Sequence, residues 1–249
     1  DFYHNGALRQ TMLEWLYNMG ADKSSAHSVP FDARDMYQVF LAAGSAEAVG
    51  RQYGADGLRT WRKIIEHPTY DAFWREQAVQ DILASQPLKL PVMLVHGLFD
   101  QEDNFGGIAA YRALEAKDTD NTRVHLVVGP WNHGQSQNDG NGLGPLKWNA
   151  DTSLWFRENI LLPFWNQHLK GIAPAQPLPQ VLAFDSGTKQ WQTLQRWPAN
   201  GNVAMRALHL QPAGGLAFAA PPAAGTDNPG HAAYVSDPAK PVPYRVRPV

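Results

Sequence analysis

The chain has 249 residues, 44% of them hydrophobic, a formal net charge of -2 and no cysteine. The near-neutral balance leaves no electrostatic footprint for nucleic acid or an anionic membrane, and no apolar run is long enough to span a bilayer. Without cysteine, disulfides, thiolate metal sites and a cysteine nucleophile are excluded together.

From Gly6 to about Ile82 the apolar spacing is helical. Leu8, Met12, Trp15, Leu16 and Met19 share one helix face that ends at Gly20. Met36, Val39, Phe40 and Ala43 predict a second helix; Leu58, Trp61, Ile64 and Ile65 predict a third, stopped by Pro68. Phe73, Trp74, Gln77 and Ala78 continue into a fourth. The pattern predicts a small helical domain or lid over residues 1–84.

Residues 85–172 alternate strand and helix. Leu90-Pro-Val-Met-Leu-Val95 is a continuous apolar run, as expected of a parallel strand buried on both faces. Phe105 to Lys117 predicts a helix, and Arg123-Val-His-Leu-Val-Val128 a second strand ended by Gly129 and Pro130. Asp151-Thr-Ser153 is a capping cluster for an aromatic-rich helix that closes at Gly171. This succession predicts the edge of a doubly wound α/β sheet. Residues 173–249 change texture again. Pro179-Gln-Val-Leu-Ala-Phe184 and Ala204-Met-Arg-Ala-Leu-His-Leu210, separated by turn residues, suggest an antiparallel sandwich or jelly roll, with Pro212 to Gly230 as a long surface loop. Residue 1 is Asp rather than an initiator Met, and Pro241 to Val249 read like the middle of a fold. The chain is therefore expected to be part of a longer protein.

Two segments carry chemistry: Gly97-Leu-Phe-Asp100-Gln-Glu102-Asp103 and Gly129-Pro-Trp-Asn-His133-Gly134. Each follows a predicted parallel strand, and loops at the carboxyl ends of such strands form the ligand crevice. An acid followed by a histidine, one helix and one strand later, fits the last two members of a Ser, Asp, His triad. Two plainer readings stand beside it: Asp100 as a helix cap and His133 as a satisfied loop histidine. A hard-metal site at Asp100, Glu102, Asp103 and His133 is a third, weakened by the lack of a second ligand cluster at metal spacing. Asp103 could instead cap the helix beginning at Phe105. No Gly-x-Ser-x-Gly occurs, and no serine before Asp100 sits on a strand-turn-helix elbow, so the nucleophile is expected upstream of residue 1. Trp61, Trp74, Trp155 and Trp165 read as core; Trp131, two residues from His133, is the one candidate for a pocket wall.

These segments, with Asp1-Phe-Tyr-His-Asn-Gly-Ala7, His67-Pro-Thr-Tyr-Asp-Ala-Phe-Trp74 and Tyr234-Val-Ser-Asp-Pro-Ala-Lys-Pro-Val-Pro-Tyr244, resemble the α-amino acid ester hydrolases. That group includes X-prolyl dipeptidyl peptidases, cocaine esterase and glutaryl-type acylases. The resemblance implies an α/β-hydrolase fold with an inserted helical cap and a C-terminal jelly roll, here incomplete. It implies Asp100 as triad acid, His133 as triad base, and Asp1, Glu102 and Asp103 as carboxylates that hold a substrate α-ammonium. Several close carboxylates repel, and a cation between them relieves that repulsion. The implied reaction is hydrolysis or acyl transfer of α-amino esters, including β-lactam amides, through an acyl-enzyme. No metal or organic cofactor is implied, and the expected partners are a small-molecule substrate and the rest of the hydrolase domain, with assembly into a homo-oligomer left open. Export to the bacterial periplasm also follows from the resemblance alone. The alternatives are an X-prolyl dipeptidyl peptidase or general carboxylesterase of the same fold, or a non-catalytic, carbohydrate-binding module; a plain esterase would gain nothing from the Glu102-Asp103 pair.

Overall fold

A computed structural model describes residues 2–4, 7–9, 11–20, 36–199, 204–211, 214–223, 225, 231 and 233–240. The chain divides into two compact units: one holds the described residues of Tyr70–Val203, the other those of Phe2–Thr69 and Ala204–Val249. Among the described residues no helix is long and apolar enough to cross a membrane.

The second of these units opens with a short antiparallel pair, β1 (Tyr3–His4) and β2 (Ala7–Leu8). Four helices follow: α1 (Thr11–Gly20), α2 (Met36–Ala43), α3 (Ala46–Gln52) and α4 (Arg59–Glu66). Leu13, Leu16, Val49, Ala55, Trp61 and Ile64 are its buried apolar residues. The spacing of Trp61 and Ile64 puts both on the buried face of α4. Ser45 starts α3 by accepting a hydrogen bond from the Ala48 N–H. Gly50 lies so close to the Trp61 ring that a Cβ there would fall on it, which is why α3 and α4 can meet.

The other unit carries the sheet. Two short helices, α5 (Ala72–Arg75) and α6 (Val79–Ser85), lead to β3 (Val92–Gly97), α7 (Gly106–Glu115) and β4 (Val124–Gly129). A hairpin of β5 (Gly142–Leu143) and β6 (Leu146–Lys147) precedes α8 (Thr152–Phe156), a π-helical turn (Arg157–Leu161) and α9 (Leu162–Lys170). Pro163 accounts for that turn: it lacks an N–H, and its ring crowds the carbonyl one turn back, so the helix widens ahead of it. The sheet finishes with β7 (Val181–Asp185) and β8 (Gln190–Leu194), in the order β3-β4-β7-β8. β3, β4 and β7 run parallel, and β8 is antiparallel to β7.

β4 is buried along its whole length. Val124, Leu126 and Val128 face a cluster with Tyr111 and Leu114 of α7, while Val127 faces Trp131, Phe156, Ile160 and Leu182. Each such aliphatic side chain contributes about 1.5–3 kcal/mol by leaving water. Asp118 fixes where β4 begins, accepting the N–H groups of Thr122, Arg123 and Val124 at 3.2, 2.8 and 2.8 Å. Burial raises its proton affinity, yet these three donors outweigh burial and hold the carboxyl below its ordinary range.

One strand departs from the expectation. Val181–Asp185, read from sequence as part of an antiparallel sandwich, pairs parallel with β4 inside the α/β sheet. Val181 to Phe184 are all buried, the continuous apolar signature of a strand covered on both sides. The sheet therefore extends to Leu194, past the expected domain boundary at 172, and α5 and α6 belong with it rather than with the preceding helices. Beyond it, β9 (His209–Leu210) and β10 (Leu216–Ala217) form an antiparallel pair.

Candidate active site

β3 and β4 end on the same rung, Gly97 opposite Gly129. A Cβ on Gly97 would lie 2.6 Å from the Trp131 carbonyl, and one on Gly129 would overlap the Trp131 ring. Glycine at both strand ends thus lets the two following loops come together. Leu98 N–H then donates to Gly129 O at 2.8 Å and Phe99 N–H to Trp131 O at 3.0 Å, carrying the pairing into the loops. Trp131 is 1% exposed, packs on Phe156 and Trp191, and donates its indole N–H to Thr152 Oγ1 at 3.0 Å. It is a core anchor for the loop, not a pocket wall.

On this frame Asp100 and His133, 33 residues apart in sequence, meet: His133 Nδ1 lies 3.1 Å from Asp100 Oδ2. The Asp100 side chain is 10% exposed and that of His133 is 55% exposed. The other oxygen of Asp100 accepts the Glu102 and Asp103 N–H groups at 2.8 and 3.1 Å. Burial raises the proton affinity of Asp100; these two donors and His133 outweigh it, so the carboxyl titrates below its ordinary range. Facing that carboxylate, Nδ1 of His133 carries the proton and donates it, which leaves Nε2 with a free lone pair in the neutral ring. The hydrogen bond to Asp100 raises the His133 pKa above 6.5, opposed by slight burial and reinforced by the charges of Glu102, Asp100 and Asp103.

Asp103 Oδ2 sits 3.4 Å from His133 Nδ1, with its side chain 68% exposed. The expectation that Asp103 caps the following helix is corrected: α7 begins at Gly106, and its cap position is Phe105, with no side-chain cap bond. Asp100 performs the turn-forming role instead, because its carboxylate reaches N–H groups two and three residues ahead. Glu102 is exposed in the same turn. Asp1 lies outside the described residues. Asp100, Asp103 and His133 offer ligand atoms within 4.8 Å of one another. A metal on Nδ1 would have to displace the proton that binds His133 to Asp100.

The sequence reading passed over two residues. His96, next to last in β3, is buried; burial lowers its pKa against the upward pulls of Asp100 and Asp103, so it stays neutral. Its ring leaves room only for glycine at 107, where a Cβ would come 2.9 Å from Nδ1. A histidine inside an apolar run was the available signal. Gln135, in the 3-10 turn Gln135–Gln137, fastens the His133 loop and had no sequence signal at all. Among the described serines, Ser153 and Ser85 donate to Gln135 O and Ile82 O, and Ser45 caps α3.

Fold and site together define an α/β protein that presents a carboxylate–imidazole pair at the carboxyl edge of a parallel sheet. The family model for X-Pro dipeptidyl-peptidase (S15 family) matches residues 1–135, a stretch that includes both Asp100 and His133. The chain belongs to that family. It is 26% identical to cocaine esterase of Rhodococcus sp. (strain MB1 Bresler) over 258 residues, covering 96% of this chain and 43% of the esterase. The solved aminopeptidase from the marine sediment archaeon Thaumarchaeota archaeon superposes with a TM-score of 0.89 at 40% identity, over 100% of this chain and 40% of the other. A solved α-amino acid ester hydrolase gives a TM-score of 0.88 at 39% identity, over 100% and 41%. The chain thus spans well under half the length of these relatives.

Proposed function

We propose that this chain supplies the acid and base of a serine hydrolase that cleaves esters or amides of compounds bearing a free α-ammonium group. One observation carries the reading: the His133 Nδ1 to Asp100 Oδ2 hydrogen bond at 3.1 Å, made between loops at the carboxyl ends of adjacent parallel strands. In the proposed cycle Nε2 of His133 takes the hydroxyl proton of a serine as its oxygen attacks the substrate carbonyl. His133 then returns that proton to the departing alcohol or amine, and a water molecule repeats the sequence to release the acid. Asp100 stays ionised throughout, holding the ring and stabilising its charged form.

The serine and its oxyanion donors are proposed to lie in the part of the relatives' length that this chain does not span. The helices α1 to α4, within Phe2–Thr69, are proposed as a cap, and a jelly roll is proposed for residues beyond the sheet, which ends at Leu194. Glu102 and Asp103, with Asp1, are proposed to receive the α-ammonium. That group is common to α-amino esters and to peptide N-termini, and the likeness to both an ester hydrolase and an aminopeptidase makes both substrates worth testing.

The test is made in a full-length protein containing this chain, with an α-amino ester, its des-amino analogue and an aminoacyl amide. Glu102→Ala with Asp103→Ala is expected to cut the preference for the amino ester by roughly 10-fold, about 1.4 kcal/mol. His133→Ala is expected to abolish turnover of all three. An unchanged preference overturns the ammonium reading, and full activity of His133→Ala overturns the hydrolase mechanism.

A further inference from the structure

We infer that Gln135 is a positioning residue, whose side-chain amide clasps the loop bearing His133 and thereby holds the imidazole against Asp100. Its relevance to catalysis rests on the proposed function; its structural part does not. Gln135 Oε1 accepts the Asn132 N–H at 3.1 Å, immediately before His133. Its Nε2 donates to Asp139 O at 2.9 Å and to Gly142 O at 2.8 Å, on the far side of the same loop. One planar amide therefore ties the start of the loop to its end, using one acceptor site and both donors.

The rest of the loop is tied down by its backbone carbonyls. Ser153 Oγ donates to Gln135 O at 2.9 Å, and Arg157 Nη1 donates to Ser136 O and Asn138 O at 2.8 and 3.2 Å. These bonds fix the loop to α8 and the turn after it, but none reaches Asn132. Asn138 Nδ2 donates to Gly134 O at 3.2 Å and the Gln135 N–H to Asn132 O at 3.2 Å, but among the side-chain bonds described for this loop only the Gln135 amide reaches Asn132. His133 itself is largely exposed, so packing does little to fix its ring. Displacing a catalytic group by about 1 Å can cost on the order of 100-fold in rate, which is the reason such a clasp matters.

The test compares Gln135→Ala and Gln135→Glu. The second keeps an acceptor for Asn132 N–H but sets a carboxylate against two carbonyl oxygens in place of the two donors. Gln137→Ala, exposed in the same turn, serves as control. In this chain, the ring signals of His133 are followed by NMR across pH. Asp100, Glu102 and Asp103 are the charged groups that act on the ring. Gln135→Ala is expected to move the His133 midpoint down toward 6.5 and to weaken the Nδ1 proton signal, with the control unchanged; Gln135→Glu is expected to weaken that signal too, while its added negative charge opposes the fall in the midpoint. In the full-length protein kcat is expected to fall roughly 10- to 100-fold with little change in KM. If both variants only lower the melting temperature, leaving the Nδ1 proton signal and, in Gln135→Ala, the His133 midpoint in place, the inference is overturned. If the midpoint moves while His133→Ala in the full-length protein keeps its activity, Gln135 still positions the ring and the proposed function fails instead.

Discussion

The proton on Nδ1 of His133 links the site's geometry to its chemistry. Because Asp100 accepts that proton, the neutral ring presents a basic nitrogen on its opposite, solvent-facing side. Asp100 can stay ionised at the edge of the core because two backbone N–H groups solvate it in place of water. The expected consequence is a His133 midpoint above 6.5 by NMR, returning toward that value in Asp100→Asn, which removes the negative charge. The sign for stability follows: a raised histidine pKa contributes stability below 6.5 and loses it as pH rises through the folded value. For activity the sign is opposite, since the base works only when neutral, and the acid limb of kcat/KM should lie above the ordinary histidine range. A midpoint at or below 6.5 in the unaltered chain would contradict the pairing described here.

The elements that carry Asp100 and His133 were readable because parallel strands leave an apolar run, and because the glycines at 97 and 129 mark where the runs stop. Helix α8 was equally plain: Asp151 accepts the N–H groups of Ser153 and Leu154 at 3.0 and 2.9 Å, as its place before an apolar stretch predicts. Other elements were not readable. The run from Val181 to Phe184 sits among prolines and turn residues, so its membership in the sheet depends on β4, a partner far away in the chain. The clasp by Gln135 exists only once the loop has folded back, and no spacing rule foretells it. Asp151 also accepts the Gly140 N–H at 3.0 Å, so it joins the end of the His133 loop to the helix. Asp151→Ala is therefore expected to cost more than a simple cap, about 2 kcal/mol by denaturant titration. A loss of only a few tenths of a kcal/mol would show that the bond to Gly140 adds nothing.

Among the described residues, carboxylates held below their ordinary value gather in one of the two units. Asp100, Asp118 and Asp151 all lie within Tyr70–Val203, each hydrogen-bonded to backbone N–H groups that outweigh the effect of burial. Depressed carboxyl groups contribute stability above the unfolded value, 3.8, and lose it as pH falls through their folded values. Hydrogen exchange between about pH 5 and about pH 2, corrected for intrinsic rates, should thus show β4 losing protection more steeply than α4. Equal losses in both units would mean that these carboxylates do not govern acid unfolding.

The paired glycines at 97 and 129 also separate distance along the chain from distance in space. Asp100 and His133 are both measured from one rung of the sheet, each a few residues beyond it. Lengthening α7 by a turn would change the 33-residue interval between them and leave the 3.1 Å bond untouched. Adding a single residue between Gly97 and Asp100 would swing the carboxylate away and leave the interval almost the same. Anyone grafting this pair onto another parallel sheet should transplant the two strand ends with their loops and choose the connecting helix freely.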